Sequence, residues 1–378
     1  MRKFLLMPDS FKGTMSSSTV CDVMKNSIEK LYDDAIIRSI PVADGGEGSV
    51  DCFLTAVGGR KISVTCSNPY FEKIDGYFGL INDEKTAVVE MAVAAGLPLV
   101  ENRKNPLKTT TYGVGEIVKK ALDYGVEELI MCLGGSATND FGTGFASCMG
   151  VKFYNDKGEP FIPVGESLCK VNKIDISDVD KRIKNVKITV MCDVDNPPYG
   201  KDGASYVFAK QKGANDKEIE LLDDGVKHIC EIVKKDLGKD LSNLVGGGAA
   251  GAMACGLVAF FDAKLKMGID TILDVTKFDD IVDENTIIFT GEGKIDSQSV
   301  RGKVVSGISK RAKEKGAKVI VIVGGAEGDL SLAYELGVNS IFAINRLPED
   351  FSISKHKSLQ NLKETFENVL RLIKSFDK

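Results

Sequence analysis

At 378 residues the chain exceeds the length at which one hydrophobic core stays compact, so two domains are expected. Hydrophobic residues make up 43% of it, and 49 basic against 54 acidic side chains, mixed along the chain, leave a net charge of −5. That balance gives no footprint for nucleic acid, and two histidines speak against a Ser-His-Asp triad or a histidine-rich zinc site. Nine scattered cysteines without a C-x-x-C pair suit a reducing, cytoplasmic setting.

The first apolar run, Phe4–Met7, is too short for a signal-peptide core and reads as a strand. Asp9-Ser-Phe-Lys-Gly follows it, with Ser10 and Lys12 near a helix expected over 21–32. A lysine placed there attracts a carboxylate or phosphate as a point charge. A second strand, 38–43, runs into Asp44-Gly-Gly-Glu-Gly. Asp44 and Glu47 are candidates for a magnesium ion or a hydroxyl, with helix capping by Asp44 as the plainer alternative. Residues 61–100 break into short strand-like pieces at 61–65, 76–80 and 86–90, a local change of architecture.

After a helix over 115–124, the run Glu128–Leu133 enters Gly134-Gly-Ser-Ala-Thr-Asn-Asp-Phe-Gly-Thr-Gly. Small residues there let backbone amides approach an anion, and Ser136 and Thr138 add hydroxyl donors. A helix expected to start near Asn139 would add its amino end to that site. The plainer alternative is a tight turn. Neither G-x-x-x-x-G-K-[ST] nor G-x-G-x-x-G after a strand occurs in the chain.

The run Lys187–Cys192 leads into Asp193-Val-Asp-Asn-Pro-Pro. If the strand continues, Asp193 and Asp195 point the same way, as a cation or an acid–base role requires; an Asx-turn explains them equally well. A helix is expected over 216–235. Leu241–Phe261 is uncharged, but its glycines indicate a turn and a buried small-residue helix rather than a membrane span. Thr286–Thr290 then enters Gly291-Glu-Gly-Lys-Ile-Asp, where Glu292, Lys294, Asp296, Arg301 and Lys303 form a mixed-charge cluster. A helix over 304–315 and a strand over 318–323 complete the pattern before Gly324-Gly-Ala-Glu-Gly.

Strands alternating with helices, each strand ending in glycine and carboxylate residues, predict parallel sheets with ligands at the strands' carboxyl ends. Amide-lined loops, magnesium carboxylates, a cation and a base are what phosphoryl transfer requires. Two other readings stay open on residue chemistry alone: an oxidoreductase of a small hydroxy acid, disfavoured by the missing dinucleotide fingerprint, and a non-catalytic sugar-acid-binding protein.

Asp9-Ser-Phe-Lys-Gly, Pro41-Val-Ala-Asp-Gly-Gly-Glu-Gly, Gly134-Gly-Ser-Ala-Thr-Asn-Asp, Cys192-Asp-Val-Asp-Asn-Pro, Gln211-Lys-Gly-Ala and Gly291-Glu-Gly-Lys-Ile-Asp resemble, in this order, the motif set of the type I glycerate kinases. The chain departs from the family pattern at Gly246-Gly-Gly-Ala-Ala-Gly-Ala and at Phe141, where a small residue is more usual.

The resemblance implies ATP-dependent phosphorylation of D-glycerate to 2-phosphoglycerate by an α/β protein of two parallel-sheet domains with a cleft between them. Residues 1–60 with 280–378 would form a discontinuous Rossmann/flavodoxin-like domain and 61–279 a second α/β domain. By chemical type and loop position, Gly134, Gly135, Ser136, Ala137, Thr138 and Asn139 are expected on nucleotide phosphates, and Asp193 on the substrate hydroxyl. Asp44 and Asp195 are expected on Mg2+, with Lys12 and Asp44 as further catalytic groups. Ser10, Lys12, Asp296 and Arg301 are expected on substrate. No membrane or nucleic-acid partner is implied.

Overall fold

The apolar runs become parallel strands because both of their faces are covered, which is why they read as continuous rather than alternating hydrophobic stretches. The computed structural model describes residues 2–43, 45–296, 304–347 and 349–376. It divides into two units, one made of residues 1–44, 55–57 and 268–378, the other of 45–54 and 58–267.

The first unit holds a five-stranded sheet in the order Val338–Ala343, Lys318–Val323, Thr286–Gly291, Lys3–Pro8, Ile36–Ser39, every pairing parallel. Its central strand Thr286–Gly291 is buried along its whole length. Phe289 packs edge-on against Phe366 at a centroid distance of 4.7 Å and stacks with Phe4 at 6.1 Å. These rings join the sheet to the helix Ser358–Ser375, which in turn packs on the helix Ser17–Leu31. That second helix begins four residues before the expected start, because the Ser16 hydroxyl accepts from the Thr19 amide and caps it.

The second unit holds a six-stranded sheet in the order Lys264–Lys266, Lys187–Met191, Glu128–Cys132, Thr86–Glu90, Lys73–Ile81, Arg60–Ser67. The first four are parallel, and the last two join as an antiparallel meander. The change of architecture expected over 61–100 is this antiparallel edge. The helix Asp216–Leu237 starts at a reciprocal cap, the Asn215 amide donating to Glu218 and the Glu218 amide to Asn215, and stops at Gly238 with φ of 72°.

The uncharged stretch 241–261 resolves into a glycine turn and the buried helix Ala249–Phe261 of 13 residues. Ala250, Gly251 and Ala252 adopt left-handed backbone inside it, which sets a kink near its start. Among the described residues no helix is long and apolar enough to cross a membrane. The nine cysteines are thiols, and Cys169 is the exposed one.

Candidate active site

In the second unit the register places Glu90, Cys132 and Met191 side by side at the carboxyl ends of adjacent parallel strands. The loops that follow therefore leave from one edge. The Gly134 amide donates to the Gly45 carbonyl at 2.8 Å. A Cβ on Gly134 would lie 2.5 Å from the Gly46 Cα, so only glycine permits this approach of two backbones. Glu90 is buried, and its carboxylate accepts from the Val50 amide at 2.6 Å and the Gly48 amide at 3.2 Å. Burial pushes its pKa up, against the pull of those amides. The glycine loop after residue 44 is thus fixed from both sides.

The loop after Cys132 sits deeper than its glycine content suggests. Gly135 is exposed and Gly134 half-buried, but Thr138, Asn139 and Asp140 are wholly enclosed. Phe141 and Gly142 take left-handed backbone, with φ of 57° and 72°, so the helix begins at Thr143 and not near Asn139 as expected. Its first amides already face an anion that belongs to the chain. The Asp140 carboxylate accepts from the amides of Gly142 at 3.0 Å and Gly144 at 3.3 Å, and from the Thr111 amide and hydroxyl at 2.8 Å each. Burial raises the pKa of Asp140, and those four donors oppose the rise.

Lys212, 2% exposed, reaches into the same loop. Its Nζ donates to the Ser136 hydroxyl at 2.9 Å and to the Thr138 carbonyl at 2.6 Å. Burial drives its pKa down to about 7, and the charge of Asp140 pulls it back up. Asn139 donates from Nδ2 to the Ser205 hydroxyl at 3.1 Å. The Thr138 hydroxyl and the Asn139 Oδ1 are buried with no hydrogen-bond partner. On the far side, the Gly251 carbonyl accepts from the Phe141 amide, and a Cβ there would lie 2.2 Å from the Thr138 carbonyl oxygen.

Asp193 and Asp195 follow the neighbouring strand, and both are exposed. The strand stops at Met191, so the alternation expected to align the two carboxylates does not reach them. At the start of this turn the Cys192 thiol donates to the carbonyls of Val194 at 3.3 Å and Gly246 at 3.5 Å.

The first unit gathers a second set. The Asp9 amide donates to the Gly291 carbonyl at 2.8 Å, and the Ser10 amide to the Asp9 carboxylate at 2.6 Å. A Cβ on Gly293 would lie 3.4 Å from the Lys12 amide nitrogen, so the turn after Gly291 rests on the Ser10–Lys12 loop. Lys12 is exposed; Ser10 and Asp296 are half-buried. Lys294–Ile295 pairs with Gly325–Ala326, and Lys294 forms an ion pair with Glu327 at 2.6 Å. Asp44, Arg301 and Lys303 lie outside the described residues. Among the described residues no group of three or more His, Cys, Asp or Glu side chains is placed to hold a metal. His228 is half-buried and bonds through Nε2 to the Val171 carbonyl at 2.7 Å, and His356 is exposed.

Sequence reasoning thus brought out the loops but missed Glu90 and Lys212 as their supports. Lys212 does stand in the motif Gln211-Lys-Gly-Ala, yet its local composition is that of a solvated turn. Nothing local signals that it points inward.

Parallel sheets that deliver glycine loops and carboxylates to the carboxyl ends of their strands define a ligand-binding α/β protein, and this chain is one. The model of the glycerate kinase family matches residues 4–374. A glycerate kinase of Bacillus cereus is 40% identical over 368 residues, covering 97% of each chain. A glycerate 2-kinase of Escherichia coli is 39% identical over 343 residues, covering 90% of each. A crystal structure assigned to glycerate kinase 2 of Salmonella typhimurium LT2 superimposes with a TM-score of 0.87 at 36% identity, covering 99% of this chain and 98% of that one. The chain belongs to the glycerate kinase family, and it is a phosphotransferase.

Proposed function

We propose that this enzyme moves the γ-phosphoryl group of ATP onto a hydroxyl of D-glycerate, releasing ADP and 2-phosphoglycerate. The observation that carries the reading is the bond from Gly134 to Gly45 beside the Asp193 turn, which sets two glycine loops and an exposed carboxylate at one sheet edge. Phosphoryl transfer asks mainly for positioning and charge stabilisation, and such an edge supplies both. The 2-position follows the name of the Escherichia coli relative.

In this reading Gly134–Asn139 takes the nucleotide phosphates, chiefly through its accessible start at Gly134 and Gly135. Asp193 orients the acceptor hydroxyl and takes its proton as the oxygen bonds to the γ-phosphorus and the bond to the β-phosphate oxygen breaks. Lys12, with Arg301 as its alternate, offsets the charge of the glycerate carboxylate or of the moving phosphoryl group, and Ser10 and Asp296 contact the substrate. Asp44 and Asp195 would hold Mg2+. Carboxylate oxygens suit that hard cation, which binds through one or two of them plus phosphate oxygens, so a three-residue cage is not needed. When bound, the ion supplies charge to the phosphates.

The test is ADP release with Mg-ATP and D-glycerate, with the product position read by phosphorus NMR. Turnover that needs both, with phosphate on the 2-oxygen, is the expected result. Phosphate on the 3-oxygen would overturn the assigned position. A folded protein that binds ATP but leaves glycerate untouched would overturn the acceptor.

A further inference from the structure

Lys212 is an expensive residue to enclose. Its position at 2% exposure calls for a function that an apolar side chain of the same length would not serve. It lies on a short 3-10 turn, Lys210–Lys212, that precedes the long helix Asp216–Leu237. Gly213 closes the turn with φ of 101°, and a Cβ there would lie 2.7 Å from the Lys104 Cβ. The backbone that aims Lys212 inward is therefore open to glycine alone at the next residue.

Both acceptors of Lys212 belong to one loop, 76 and 74 residues upstream. Within that loop the Thr138 hydroxyl and the Asn139 Oδ1 are enclosed without partners. Without Lys212, the Thr138 carbonyl and Ser136 hydroxyl would lose the donor the structure gives them, an outcome that costs more than the bond itself contributes. Gly251 bounds the loop on its other side and leaves no room for a Cβ. Gly251 on one side and Lys212 on the other thus enclose the loop around Ser136 and Thr138.

We infer that Lys212 is a positioning residue of the phosphotransfer site: its buried amino group, bonded to Ser136 and to the Thr138 carbonyl, sets the loop path that the nucleotide phosphates meet. This rests on the proposed assignment of residues 134–139 to those phosphates. Lys212 is enclosed beneath the loop and acts through it, without touching ATP.

The experiment compares Lys212→Met and Lys212→Arg with the unaltered enzyme, reading kcat, both KM values and amide hydrogen exchange across 134–140. Lys212→Met is expected to raise the KM for ATP about tenfold, with kcat and the KM for glycerate within about threefold. Exchange across the loop should quicken, and Lys212→Arg should recover most of the ATP affinity. A folded Lys212→Met enzyme with the original KM for ATP would overturn the proposal.

Should the Lys212 variants fail to fold, Ser136→Ala removes one of its acceptors from the other end. Original loop exchange and KM for ATP in that variant would overturn the proposal equally. The parent assignment fails differently: ATP would then leave exchange across 134–140 unchanged in the unaltered enzyme.

Discussion

Asp140 and Thr111 are joined twice at one atom, the threonine amide and hydroxyl both donating to the same carboxylate oxygen, Oδ2. The Thr111 hydroxyl accepts in turn from the Phe145 amide at 2.9 Å. A chain of four groups thus locks the start of the helix Thr143–Cys148 to the start of the helix Tyr112–Asp123. Asp140→Asn keeps the shape but turns one acceptor into a donor, and both oxygens face donors. We predict a loss of about 3 kcal/mol in urea unfolding. A loss below about 1 kcal/mol would show that the network tolerates a neutral amide there.

The pH dependence of stability should carry the signature of Lys212. Its pKa is about 7 when folded against an ordinary 10.5 when unfolded. Between those values the unfolded chain holds a proton that the folded chain lacks, so this site's contribution to stability rises with pH. Below pH 7 the burial penalty is fully present, and above 10.5 it is gone. From pH 7.5 to 9 the unaltered protein should gain roughly 2 kcal/mol relative to Lys212→Met, at up to about 1.4 kcal/mol per unit. Parallel stability curves would contradict the lowered pKa.

Gly251→Ala should disturb the same loop from the opposite side. The backbone at φ of 66° disfavours a side chain, and the new Cβ would lie 2.2 Å from the Thr138 carbonyl oxygen. A loss of about 2–4 kcal/mol and a raised KM for ATP are expected, since neither backbone can yield without moving its neighbours. Thermal unfolding and steady-state kinetics on one preparation would check both effects together.

Asp193→Asn separates chemistry from folding. Its exposed position predicts a change in stability within about 0.5 kcal/mol. A proton acceptor for the substrate hydroxyl predicts a fall in kcat of about a hundredfold or more. Comparable losses in stability and turnover would sink the assignment.

Much of this arrangement was legible before any coordinates. Apolar runs followed by glycine clusters marked the strands and the loops that leave their carboxyl ends, and the Asn215–Glu218 spacing is consistent with the observed helix start. What stayed hidden depended on partners distant in sequence. Asp140 looked like part of an anion-binding turn, whereas the folded chain uses it as the anion. Lys212 resembled its exposed neighbour Lys210 until the turn at Gly213 aimed it inward. The left-handed residues Phe141 and Ala250–Ala252 are costly for side-chain-bearing residues, and only the close approach of the two segments they belong to accounts for them.

The pairing of Lys3–Pro8 with Thr286–Gly291 also sets an order of events on the ribosome. The Thr290 hydroxyl bonds to the Met7 carbonyl across 283 residues of chain. At roughly 5–20 residues per second, the first strand emerges roughly 15–60 s before the neighbour it needs. The unit built from 45–54 and 58–267 is complete in the nascent chain during that interval and can fold first. Meanwhile Lys3–Pro8 has Ile36–Ser39 and the helix Ser17–Leu31 to pack against but lacks its neighbour on the other edge, so a chaperone acting on the nascent chain should matter more to the yield of this enzyme than one acting after release.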